Sequence, residues 1–317
     1  MLHHVRPELP RAARFAPNAV LDITPDFLDS ALTLATRRGF DLVSLDEAVA
    51  RLRAKRRPHP FIAVTLDDGY RDNLVHALPV FRRHGCPFTI YIAPAITDGV
   101  SELWWDGLEQ VIARNARIEG DIAGESFSLD TTTDALRAAA WRQLYWPVRK
   151  LPQHEQRRWI RDFCNRHRFA LDAWCKAEAM GWDEVRQIAA DPLCTIGAHT
   201  INHFAVSQLD GHEAALEMRD SAGRIASELG RRPVHLAYPY GDEGSAAARD
   251  FGLAAEAGFA TAVTTRKGML FQAHQDHLTA LPRLSLSGEF QKLRYLDTLL
   301  TGAPFALFNK FRKLNVA

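Results

Sequence analysis

The chain has 317 residues, 47% of them hydrophobic and 24% charged, with a formal net charge of +1 when histidine is counted neutral. This composition suits one large α/β domain, or a smaller one carrying an insertion. The near-zero charge leaves no electrostatic footprint for nucleic acid, and no stretch approaches the roughly 18 consecutive apolar residues of a membrane span.

The N-terminal "MLHHVRPELPRAARFAPN" lacks an apolar core of signal-peptide length, so a cytoplasmic protein is expected, and "LHHV" reads as the middle of a first strand. Next, "DITPDFLDSALTLATRRGF" predicts a helix with Thr24 as N-cap, Pro25 at its first position and Gly39 as its stop. Ser44 and Glu47 stand at capping-box spacing at the start of a second helix. The strand "FIAVTL", the helix "NLVHALPVFRRHG" and the strand "PFTIYIA" follow.

An interruption comes at about residues 98–180. All seven tryptophans lie between Trp104 and Trp182, in a stretch that otherwise reads as helices. This predicts a helical insertion with its own Trp-rich core. Alternatively, Trp104 and Trp105 face a sugar-binding groove. The alternation then resumes: helix "WDEVRQIAA", strand "LCTIGAHT", helix "GHEAALEMRDSAGRIASELG", strand "PVHLAYPYG", helix "SAAARDFGLAAEAG" and strand "FATAVTT". Such a βαβα rhythm argues for a parallel sheet with helical crossovers, open or closed as a barrel. Cys86, Cys164, Cys175 and Cys194 show no paired spacing and are expected as free thiols in a reducing compartment.

Two stretches carry chemistry. "FIAVTLDDGYRDN" runs an apolar strand into the adjacent carboxylates Asp67 and Asp68, whose mutual repulsion calls for a compensating cation. The bland alternative is a turn with Asp72 or Asn73 capping the next helix. "GAHTINHF" places His199 and His203 four apart at another strand end. Two imidazoles and one carboxylate suit a borderline-soft divalent ion and leave a coordination position open. Both elements end strands, where a (β/α) barrel puts its chemistry.

"TLDDG", "HTINH" and "AYPYG" resemble, in order, the first three signatures of the NodB-type polysaccharide deacetylases. The resemblance implies a deformed (β/α) barrel and a metal-dependent hydrolase removing acetyl groups from N-acetylated sugars in a surface- or exo-polysaccharide pathway. It implies that Asp68, His199 and His203 hold a divalent metal. Zinc is expected, although cobalt, nickel and iron also accept such ligands. Asp67 would be the general base, and the Tyr240 backbone N–H would stabilise the oxyanion. Gly69 would permit the sharp turn that brings both carboxylates into the site.

The chain departs from the family pattern in two places. Ala237 stands where the third signature has an arginine that positions the base. Arg283, in "ALPRLSL", is the candidate substitute; otherwise it is an exposed strand-end residue. No histidine follows His277, so the usual C-terminal Leu-x-His acid is missing. His3, His4, His274 and His277 are the remaining candidates for the general acid. The departures leave room for a hydrolase of non-carbohydrate amides or imides, or for an inactive glycan-binding homologue. Finally, "FALFNKFRKLNV" mixes apolar and basic residues at helical spacing, as a docked terminal helix or one lying on an anionic membrane.

Overall fold

In the computed structural model, which describes residues 1–8, 15–55 and 58–316, helices and short strands alternate. Residues 9–14, part of the N-terminal stretch read above for a signal sequence, lie outside the described residues. The first third contains β1 (His4–Val5), β2 (Asp22–Ile23), α1 (Pro25–Arg37), β3 (Asp41–Leu42), α2 (Leu45–Arg53), β4 (Phe61–Ile62), β5 (Val64–Leu66), α3 (Leu78–His84) and β6 (Phe88–Ile92). The interruption holds α4 (Pro94–Thr97), α5 (Trp104–Arg114), β7 (Arg117–Ile122), β8 (Glu125–Asp130), α6 (Asp134–Lys150), α7 (Gln153–Arg166) and α8 (Leu171–Glu178). The last part runs through α9 (Trp182–Ala189), β9 (Cys194–Ala198), α10 (Gly211–Leu229), β10 (His235–Ala237), α11 (Ala248–Glu256), β11 (Thr261–Lys267), β12 (Leu281–Arg283), α12 (Leu293–Leu300) and α13 (Ala303–Phe308).

The sequence explains the helix starts. Thr24 Oγ1 accepts from the Phe27 N–H at 3.1 Å and Ser44 Oγ from the Glu47 N–H at 3.2 Å, satisfying first-turn donors that have no partner inside the helix. Gly39, just past α1, takes φ +80°, a left-handed conformation that suits glycine at a helix end.

Six strands form one parallel sheet in the order β12-β11-β10-β9-β6-β5. They curl into a partial barrel, and the N-terminal residues bridge its seam. The Leu2 N–H donates to Thr65 O and the Asp67 N–H to Leu2 O, while the Met1 amine donates to Leu284 O and the Leu286 N–H to Met1 O. Consequently Arg283 on the last strand faces Asp67 at the end of β5. The main apolar core, including Leu66, Phe81, Ile90, Ile92, Ile196 and Leu236, lies around this sheet.

The insertion builds a second core from Trp104, Trp105, Leu108, Val111, Ile112 and Ile160 among others. It is not helical throughout: β7 and β8 pair antiparallel, with Ile118 opposite Leu129 and Ile122 opposite Glu125. Ala123 and Gly124 form the two-residue loop, both at positive φ as this tight hairpin requires. The C-terminal segment also differs from expectation, because α13 stops at Phe308 and the chain continues in turns. All four cysteines are buried and free. No helix among the described residues is long and apolar enough to cross a membrane.

Candidate active site

The sheet's C-terminal ends gather the polar residues of both motifs into a buried cluster. Asp67 is 2% and Asp68 4% exposed, too deep to carry charge without compensation. Side-chain direction alternates along a strand, so neighbouring carboxylates would ordinarily point apart. Here Asp68 and Gly69 both adopt left-handed backbone, at φ +71° and +72°. A side chain on Gly69 would meet Ile92 Cγ2 at 2.8 Å, so glycine serves both the turn and the close approach to β6. Thr200, His203 and Tyr240 are left-handed as well, at φ +57°, +58° and +62°. Such backbone costs on the order of 1–3 kcal/mol per residue and clusters at functional sites.

Asp68, His199 and His203 present ligand atoms that all lie within 4.8 Å of one another. Asp68 Oδ1 stands 3.3 Å from His199 Nε2 and 3.1 Å from His203 Nε2, yet this buried oxygen has no hydrogen-bond partner. At His199, Nδ1 lies 2.6 Å from Ala237 O, and a carbonyl only accepts, so Nδ1 carries a proton and Nε2 is the atom turned to Asp68. Burial pushes His203 down to about 4, whereas at His199 burial is outweighed by the carboxylates of Asp68 and Asp67, which raise the imidazole's pKa. One carboxylate oxygen and two imidazole nitrogens converging on one point are the donor set a divalent cation needs, and these three residues fit one. For Asp68, burial pushes the carboxyl upward but the two imidazoles outweigh it, holding it well below the usual carboxylate range.

Asp67 is held differently. Arg283 Nη1 and Nη2 donate to its two oxygens at 2.7 Å each, a bidentate pair in which both side chains are buried. Arg283 is itself fixed by Nε donating to Thr264 O at 2.8 Å and Nη1 to Thr65 Oγ1 at 3.2 Å. Burial opposes ionisation of Asp67, but Arg283 overcomes it and keeps the carboxyl below its ordinary value. Ala237, on β10, offers no side chain for this purpose; the guanidinium comes from across the seam.

The insertion walls the site. Trp104 and Trp105 are buried, so neither is a sugar-stacking platform. Trp105 packs its ring 5.0 Å from that of His203 and donates Nε1 to Tyr70 Oη at 3.1 Å. Trp104 Nε1 donates to Tyr240 Oη at 2.7 Å, and the Arg149 guanidinium lies 3.5 Å over the Tyr240 ring. Arg157, buried on α7, donates to the carbonyls of Glu102, Asn202 and His203, pinning the histidine loop from behind. Glu217 secures the same loop by accepting from Asn202 N and Nδ2 at 2.9 and 2.6 Å. Sequence reading missed Arg149, Arg157 and Glu217, because each occupies a helix whose polar residues look like an ordinary solvated face.

Of the four histidines weighed as an acid, His3 is the one beside the aspartates. Burial lowers its pKa while Asp68 and Asp67 raise it, with Arg283 and His4 opposing them. His4 is occupied, with Nδ1 2.5 Å from Asp72 Oδ2 and its ring stacked 3.5 Å from Tyr70. Asp72 therefore ties β1 to this loop and makes no side-chain cap for the following helix. His274 is buried against the backbone of Phe271, and His277 is exposed before β12, at the opposite end of the sheet from Asp67.

The sequence profile described as "Polysaccharide deacetylase" matches residues 54–261, more than half of the chain. The chain belongs to the polysaccharide deacetylase family. Among solved structures it is similar to the deacetylase PplD of Streptococcus pyogenes, solved in complex with acetate, at 16% identity and a TM-score of 0.61 over 95% of this chain and 96% of that one. It also resembles a de-N-acetylase from Aggregatibacter actinomycetemcomitans, at 14% identity and a TM-score of 0.55 over 93% and 98% of the two chains. A polysaccharide deacetylase from Bacillus cereus matches at 12% identity and a TM-score of 0.57, covering 95% of this chain and 67% of that one. No curated protein sequence matches. The structural matches bear on the fold, which is the deformed barrel of deacetylases.

Proposed function

We propose that this protein is a metal-dependent hydrolase that removes acetyl groups from N-acetylated glycans, with zinc as its ion. The observation that carries the reading is the division of labour between two adjacent carboxylates. Asp68 converges with His199 and His203 on one point, while Asp67 is clamped beside them by Arg283. A divalent cation held by Asp68, His199 and His203 supplies Lewis acidity, polarising an amide carbonyl and lowering the pKa of water from ~15.7 towards ~7.

The chain's own residues supply the remaining steps. Asp67, kept ionised and oriented by Arg283, takes a proton from the attacking water; each of its oxygens retains a lone pair beyond the one Arg283 uses. The Tyr240 backbone N–H, carried on a left-handed turn, stabilises the oxyanion that develops on the acetyl carbonyl. His3 gives a proton to the leaving nitrogen as the C–N bond breaks, releasing acetate and a free amine. His3, just ahead of β1, takes the part of the usual C-terminal histidine in this reading, because the N-terminal residues close the seam beside β12. The family supplies the glycan class and points to a surface- or exo-polysaccharide pathway.

The test is acetate release by metal-loaded protein from a panel of N-acetylated glycans, with small amides and imides as competitors and His3→Asn alongside. The reading expects turnover of glycans and a loss of at least 100-fold in His3→Asn, with metal retained. Turnover confined to the small amides would replace the substrate class. A wild type that binds no divalent metal would overturn the site.

A further inference from the structure

Three large apolar side chains on one short segment stay in solvent: Leu307 is 67%, Phe308 63% and Phe311 76% exposed. Phe271, 39% exposed, lies close by, with Lys313 Nζ 5.9 Å from its ring centroid. The segment's own charge is of one sign. Between Thr301 and Val316 the sequence has Lys310, Arg312 and Lys313 and no acidic residue, in a chain whose net charge is only +1. All three cations are exposed, and Lys267 Nζ sits 5.0 Å over the Phe308 ring.

The backbone here is strained and anchored. Lys310 and Phe311 take φ +50° and +62°, a conformation that bulky L residues adopt at a cost. Half of the non-glycine residues at positive φ among the described residues are Asp68, Thr200, His203 and Tyr240 at the site, and Lys310 and Phe311 form a second such cluster. Asn309 and Asn315 both donate to Lys267 O, fixing the turn to the end of β11. Lys267 is in register with Arg283, so the patch sits at the same end of the sheet as the Asp67 pair. Behind it, an apolar groove of about 1080 Å³ runs inward past Phe305, Leu300 and Leu32 towards the barrel seam.

We propose that this C-terminal patch is a contact surface for an anionic lipid bilayer, placing the catalytic end of the barrel beside the membrane. Apolar side chains interleaved with cations are what an acidic interface recognises: the rings enter the acyl boundary and the cations face the lipid phosphates. A second copy of the chain fits worse. A twofold contact would set Lys310, Arg312 and Lys313 against their own duplicates.

The test is co-sedimentation with vesicles of pure phosphatidylcholine and of phosphatidylcholine mixed with phosphatidylglycerol, which needs no turnover and so fails or succeeds independently of the proposed activity. The wild type binds the mixed vesicles at least tenfold more tightly than the neutral ones, and raised salt weakens binding. Phe308→Ser with Phe311→Ser lowers the partition at least tenfold, and Lys310→Glu with Arg312→Glu and Lys313→Glu at least a hundredfold. Because all five positions are exposed, circular dichroism and thermal midpoint stay at wild-type values. Equal binding to both vesicle types, no binding at millimolar lipid, or unchanged binding in both variants would overturn the proposal. So would a wild-type dimer in sedimentation velocity that Phe308→Ser with Phe311→Ser dissociates.

Discussion

The barrel mouth and the insertion beside it both bury polar side chains, but they handle the burden in opposite ways. At the mouth, Asp68 Oδ1 and His203 Nδ1 are buried without partners, and four residues are bent into left-handed backbone. In the insertion, donors find neutral or half-charged acceptors at close range: Trp104 and Trp105 reach tyrosine hydroxyls, Trp174 reaches Asp106, and Thr131 reaches Asn115 O. The mouth stores unmet demand for a cation on ligand-type atoms, whereas the unpartnered atoms of the insertion, Arg137 Nε, Gln156 Oε1 and Arg157 Nε, belong to side chains whose other polar atoms are paired. In the proposed mechanism the reacting groups belong to the barrel and the insertion positions them, since orphaned polar groups persist only where surrounding structure holds them.

The comparison can be strained most at the Asp67–Arg283 pair. Arg283→Gln leaves a buried carboxylate uncompensated, so we expect stability to fall by about 3–5 kcal/mol in denaturant titration. Turnover should fall at least 100-fold with metal still bound. Loss of stability without loss of kcat would make the pair merely structural.

Arg157 tests whether the insertion positions the His199–His203 loop. Arg157→Met keeps the volume but removes the donors to Asn202 O and His203 O. Metal affinity should weaken by roughly 10–100-fold, as for other residues that orient ligands. An unchanged metal Kd would confine the insertion to a wall. Trp104→Phe is milder. Removing the hydrogen bond to Tyr240 Oη should lower kcat by about three- to tenfold, in keeping with the ~1 kcal/mol of one neutral hydrogen bond, with KM and metal content held.

The last prediction concerns pH and the insertion alone. Burial pushes the Asp106 carboxyl up to about 6. Its folded pKa is above the unfolded value, so its contribution is full below about pH 4 and is lost as pH rises through about 6. Asp106→Asn removes that dependence. Its unfolding free energy relative to wild type should therefore improve between pH 4 and pH 8, by on the order of 2–3 kcal/mol. A constant difference across that range would show that Asp106 does not titrate there.

The sequence made the strand ends legible because both motifs are local: "LDDG" and "HTINH" each combine a strand, a turn and ligand-type residues within a few positions. Arg283 was nameable only as a substitute for the arginine absent at Ala237, since its reach to Asp67 depends on closing the seam between the first and last strands. The hairpin at β7–β8 escaped a helical reading, although Ile118, Gly120 and Ile122 alternate with polar residues before Ala123-Gly124. Arg149 and Arg157 were invisible for a deeper reason. An arginine on an amphipathic helix carries no sequence mark of whether its guanidinium meets water or the carbonyls of a buried loop.

The most direct test of the central claim sets Asp67→Asn against Asp68→Asn, with bound metal and acetate release measured on the same samples. The account predicts that Asp67→Asn binds metal as the wild type does and loses turnover by at least 1,000-fold, while Asp68→Asn loses the metal itself. Metal loss in both variants, or Asp67→Asn turning over within tenfold of wild type, would contradict the division of roles between the two carboxylates.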